Sequence, residues 1–131
     1  MEQTPHEAAR KVKSYQDLSV WQEGMALAEA CYRLTTAFPR QEGFGMVSQI
    51  RRAASAVPAN IAEGWGREGT REYIQFLRVA QGSLKELETH LILSQRVRLA
   101  PEEQVTLLLT KCAEVGRMLR ALIVTLTRKL Q

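Results

Sequence analysis

The sequence predicts an all-α chain folded as an antiparallel, up-down-up-down four-helix bundle. Three observations lead there. Apolar residues recur at three- and four-residue steps in four separate runs, and β-branched residues nowhere gather in alternation. The gaps between runs hold Pro39, Gly43, Gly45, Gly64, Gly66, Gly69 and Pro101, residues that stop or cap helices. With 131 residues, 45% hydrophobic and 24% charged, the chain suits one domain with one core.

Residues 1–14 are polar, with Pro5, and are expected to form a flexible arm ahead of a bundle domain over 15–131. The first helix carries two apolar lines side by side. Leu18, Trp21, Met25, Ala28 and Tyr32 form one, and Val20, Leu27, Cys31, Leu34 and Phe38 the other, before Pro39 stops the helix. The second helix steps through Val47, Ile50, Ala54, Val57 and Ile61, with the three following glycines expected to terminate it. Thr70 is placed to cap the third helix, whose seam is Tyr73, Leu77, Ala80, Leu84, Leu87 and Leu91. Pro101, Glu102 and Glu103 suit the positive end of the fourth helix. Its seam is Val105, Leu108, Cys112, Val115, Leu119, Leu122 and Leu126.

Two helices carry more apolar surface than one seam needs. Val20, Leu27 and Leu34 on the first helix, with Leu109, Ile123 and Leu130 on the fourth, form flanking lines. Two explanations stand: a wide core within one chain, or faces buried against other copies. The second makes these six residues candidates for an oligomer interface.

Charge and cysteine usage bound the function. The net charge is +4, and residues 71–131 hold ten basic against six acidic groups, so the surplus lies in the second half. Such a surface suits a polyanionic partner but also an ordinary solvated face. Cys31 and Cys112 lie in apolar helical patterns and read as reduced core residues. No Cys/His cluster has metal-ligand spacing, and no apolar run approaches the ~18 residues of a membrane span. A cytoplasmic protein with no metal, no other cofactor and no membrane contact is expected.

The stretch Ser55–Gly69, SAVPANIAEGWGREG, contains Gly64, Gly66 and Gly69 in G-x-G-x-x-G spacing. A dinucleotide fingerprint needs a strand before it and a helix directly after it. Helical periodicity precedes this one, so the match is accidental. Pro58 inside the same run should bend or restart the helix. Asn60 and Glu63 follow, Glu63 within reach of Arg67 one turn on; they are read as satisfying freed backbone groups, with a ligand site as the alternative.

At these residues the chain resembles the bacterial 23S rRNA intervening-sequence proteins. The resemblance rests on Phe38, Pro39, Glu42, Gln49, Arg51, Arg52, Ala53, Ala54, Pro58, Asn60, Ile61, Ala62, Glu63, Gly64 and Arg67. It continues through Phe76, Leu77, Ala80, Gly82, Ser83, Leu84, Glu86, Leu87 and Glu88, spanning about Tyr15 to Arg128. Tyr15 stands where phenylalanine is usual, and Ala56 where a larger residue is. The resemblance implies a four-helix bundle assembling into a five-fold ring, with Pro58, Asn60, Glu63 and Gly64 as structural motif residues. A related branch, the accessory variability determinant of diversity-generating retroelements, binds nucleic acid and a reverse transcriptase.

The leading expectation is therefore a non-enzymatic homo-oligomer, a homopentamer by resemblance, that meets RNA or DNA phosphates through basic residues. Arg51, Arg52, Arg67, Arg71, Arg78, Arg117, Arg120, Arg128 and Lys129 are the candidates. The alternatives are that these cations are solvated or paired with nearby glutamates, as Arg71 with Glu68, and that the oligomer is an adaptor for a protein partner. An enzyme is the weakest reading: His6 lies in the arm, His90 at a seam's edge, and Glu86 and Glu88 point to different helix faces.

Overall fold

The computed structural model describes residues 12–131; the arm expected over 1–14 falls mainly outside them. Its last residues join the fold. Ser14 Oγ accepts the Gln16 amide at 3.1 Å, and the Lys13 and Ser14 amides donate to Asp17 Oδ2 at 2.9 and 3.2 Å, closing a 3₁₀ turn, Tyr15–Asp17. The Tyr15 ring then meets Trp21 edge-on at 5.3 Å.

Four α-helices follow: α1 (Ser19–Thr36), α2 (Met46–Trp65), α3 (Thr70–Arg96) and α4 (Glu102–Arg128), with no strand among the described residues. A second 3₁₀ turn, Arg40–Glu42, lies between α1 and α2. Packing is sequential and closed: α1 on α2, α2 on α3, α3 on α4, and α4 back on α1. The seams read from the sequence supply most of the core. Ile50, Val57, Ile61, Leu77, Leu84, Leu87, Leu91, Val105, Val115 and Leu119 are all buried.

Several details differ from the sequence reading. On α1 the line facing the core is Val20, Leu27, Cys31 and Leu34, while Trp21 and Met25 are half-buried and Tyr32 is exposed. Val20, Leu27 and Leu34 therefore belong to the chain's own core and not to an interface. Ile123 is corrected in the same way: it is buried, and Leu122, expected in the seam, is only half-buried. Leu109 is half-buried against the core, leaving Leu130 as the exposed member of the six. Both apolar lines on α1 have helical spacing; which one faces inward is set by where α2 and α4 lie.

Gly64 does not end α2. It is buried one residue before the last, where α2 crosses α3, and a Cβ there would lie 2.9 Å from both Phe76 Cβ and Tyr73 Cδ1 and 3.2 Å from the Tyr73 carbonyl. Glycine is required by close approach, not by backbone conformation. α2 also runs unbroken through Pro58, so the expected restart does not occur. Pro58 is buried against Gly24 of α1, where a Cβ would stand at 3.6–3.7 Å. The α3 cap is Gly69, with no side-chain hydrogen bond, and not Thr70.

The α3–α4 turn places Arg98 at φ 65°, the left-handed region that non-glycine side chains disfavour. Around it the Leu99 amide donates to the Ser94 carbonyl at 2.8 Å and the Arg98 amide to Gln95 at 3.0 Å. This is the Schellman pattern, which closes the last carbonyls of α3.

Candidate functional site

The nine basic candidates divide by what surrounds them. Arg51 is half-buried and committed to the fold. Its Nε donates to Thr35 Oγ1 at 2.9 Å, its Nη2 to the Tyr32 carbonyl at 3.4 Å, and its guanidinium lies 4.6 Å from the Tyr32 ring centroid. Thr35 is buried, and its hydroxyl donates to the Cys31 carbonyl at 2.9 Å while accepting from Arg51. This cation sits at the C-terminal turn of α1, where the helix dipole favours positive charge. Arg51 is thus a strut between α1 and α2.

Arg52 donates to Ser48 at 3.2 Å, and Arg67 lies over the Phe76 ring at 4.7 Å. Both stay exposed. The expected pairs Glu63–Arg67 and Glu68–Arg71 do not form. Among the described residues the Lys/Arg–carboxylate pair is Lys85–Glu88 at 3.0 Å, and His90 approaches Glu86 at 3.5 Å. The Asn60 amide donates to the Ala56 carbonyl at 2.8 Å, inside the helix, and not to the Ala54 carbonyl that Pro58 leaves without a donor; Glu63 is exposed without a backbone partner, so the expected role of the pair is not seen.

The remaining candidates gather on α3 and α4. Arg71, Arg78 and Lys85 recur every seven residues along an exposed line of α3, about 10 Å apart. Lys85 then lines a groove between α3 and α4 with Arg117 and Arg120 opposite. The groove has a volume of about 610 Å³. Two glycines keep its floor low: a Cβ on Gly82 would meet nothing within 4 Å, and one on Gly116 would meet Leu84 Cδ2 at 3.4 Å. Glu88 also lines the groove, so its cationic surplus comes from Arg117 and Arg120. Arg128 and Lys129 are exposed at the end of α4. Sequence reasoning found both groove arginines but missed Lys85 and the open face of Gly82, because a groove needs two helices side by side.

A second groove, about 650 Å³, separates α1 from α2. Trp21, Met25, Tyr32, Pro58 and Ala59 line it, with Glu29 and Arg33 at its edge. This is where the outer apolar line of α1 goes.

Among the described residues no three His, Cys, Asp or Glu side chains gather to hold a metal, and no helix is long and apolar enough to cross a membrane. Burial pushes the Cys31 and Cys112 thiols from 9.0 up to about 12, so neither is an activated nucleophile.

No curated protein matches the chain. A solved structure from Bacteroides thetaiotaomicron VPI-5482, described as a protein with unknown function from the S23 ribosomal protein family, is similar. Its TM-score is 0.72 at 24% identity, covering 79% of this chain and 97% of that one. That likeness concerns the fold. The family model described as 23S rRNA-intervening sequence protein matches residues 16–121. The chain belongs to the 23S rRNA-intervening sequence protein family.

Proposed function

We propose that this chain is a non-enzymatic, homo-oligomeric four-helix bundle protein of the cytoplasm that associates with the phosphate backbone of RNA or DNA. The observation that carries the reading is the cationic face of α3 and α4. Arg71, Arg78, Arg117, Arg120, Arg128 and Lys129 are exposed, and among the described residues none makes an ion pair. Cations left without carboxylate partners can replace the counterions condensed on a nucleic acid. The groove floored by Gly82 and Gly116 lets a sugar-phosphate strand approach Arg117 and Arg120 closely. Recognition by this face is of the backbone rather than of base sequence.

An up-down-up-down order is part of the proposal. It is supported by short connections and by the pairing of Gly24 with Pro58 and of Gly116 with Leu84. A ring of five copies, as family membership suggests, would carry about +20 and strengthen the field accordingly.

The test is a titration of a single-stranded RNA and of duplex DNA across a range of salt, read by fluorescence anisotropy. Log K should fall linearly with log salt. A triple variant with Arg78, Arg117 and Arg120 changed to alanine should bind more weakly and flatten the RNA slope by about 2, at ~0.7 per lost phosphate contact. Binding that ignores salt, or a triple variant that binds like the unmodified chain, refutes the reading. Salt-independent capture of a protein partner, a reverse transcriptase for example, would instead favour the adaptor.

A further inference from the structure

We propose that Phe44 of one copy seats in the α1–α2 groove of a second copy, a head-to-tail contact that joins the chains. This rests on the homo-oligomer reading above and names the contact that makes it.

Phe44 stands between Gly43 and Gly45 at the connection into α2, and it is wholly exposed. Aromatic residues, Phe among them, are enriched at the cores of interfaces, where a ring filling a pocket serves as an anchor. The α1–α2 groove supplies a matching receptor. It is lined mainly by Trp21, Met25, Tyr32, Pro58 and Ala59, and its volume of about 650 Å³ lies within the ~300–1,000 Å³ range of clefts that enclose whole small molecules. Phe44 does not fill the groove of its own chain, because its side chain is uncovered there.

Charge complementarity identifies the occupant as a copy of this chain. Arg40 and Glu42 lie in the 3₁₀ turn just before Phe44, and Glu29 and Arg33, one helical turn apart on α1, line the groove. Among the described residues none of these four makes an ion pair within the chain. With Phe44 inserted, Arg40 can face Glu29 while Glu42 faces Arg33, so two opposite-sign pairs close around one apolar anchor. Knob and receptor are different patches of the same molecule, so the contact is heterologous. Each copy gives one knob and receives one, and repetition generates a ring or a filament.

Complementation of two single variants tests this. Phe44→Ala removes the knob and keeps the groove; Ala59→Arg obstructs the groove, at an exposed position, and keeps the knob. Each variant alone should associate at least tenfold more weakly than the unmodified chain, measured by native mass spectrometry and light scattering at fixed protein concentration. Mixed in equal amounts, the two should give a heterodimer and nothing larger, since one intact knob meets one intact groove. Melting temperature and circular dichroism check that each variant folds. If the unmodified chain assembles and Phe44→Ala assembles equally well, the contact is wrong while the oligomer stands. Failure of the mixed variants to pair also overturns the head-to-tail arrangement. A chain that stays monomeric at high concentration overturns both the contact and the oligomer.

Discussion

Replacing Gly64 with alanine separates two reasons for a glycine near a helix end. If glycine served only to end α2, alanine would be mildly favourable, since a helix interior gains about 1 kcal/mol from that exchange. The geometry opposes this. The new methyl would lie 2.9 Å from Phe76 Cβ and Tyr73 Cδ1, atoms close to the α3 backbone, and 3.2 Å from the Tyr73 carbonyl itself. Phe76 Cβ and the carbonyl are fixed by the α3 backbone and cannot rotate aside, so α2 and α3 must part. Overpacking of this kind costs about 1–3 kcal/mol, so after the propensity gain the net loss is about 1 kcal/mol. Two other helical glycines serve as controls. At Gly82 nothing lies within 4 Å, and Gly82→Ala should gain about 1 kcal/mol. At Gly24 the nearest Pro58 atoms are 3.6–3.7 Å away, an ordinary contact, and the variant should gain about 0.5–1 kcal/mol. For a chain of this size 1 kcal/mol moves the melting temperature by about 3–5 °C. Gly64→Ala and Gly82→Ala should therefore differ by about 6–10 °C in calorimetric melts at one protein concentration. A Gly64→Ala protein that melts as high as Gly82→Ala would show the α2–α3 crossing to be looser than a 2.9 Å approach allows.

Two further outcomes follow from local geometry. Arg98→Gly should stabilise the chain by about 1 kcal/mol, because glycine adopts φ 65° without the Cβ penalty and the flanking hydrogen bonds are retained; urea denaturation reads the gain. Burial raises the folded-state pKa of Cys31 and Cys112 from 9.0 to about 12, so the stability these thiols contribute is complete below pH 9 and is lost as pH rises through the window from 9 to 12. Between about pH 8 and about pH 10 each cysteine should cost about 1.4 kcal/mol. A variant with both cysteines changed to alanine should show a shallower alkaline decline.

Much of the fold was legible in one dimension because helical burial writes itself as a 3.5-residue period. The α3 seam from Leu77 to Leu91 needs no neighbour to be recognised, since one face is apolar and the opposite face polar. On α1 that logic fails. Two apolar lines lie side by side, and the choice between Val20–Leu27–Leu34 and Trp21–Met25–Tyr32 belongs to the helices packed against them. The basic candidates behave alike. Composition identifies arginines, but only the position of Thr35 and Tyr32 across the α1–α2 contact turns Arg51 into a strut.

The sequence alone determined the four helices, the α2 and α3 seams and the family, because each is carried by residue types at fixed intervals along the chain. Tertiary structure decided which apolar line faces inward, why Gly64 must be glycine, and which cations remain exposed. Those depend on atoms brought together from different helices, and an interval along one chain does not encode the distance to another.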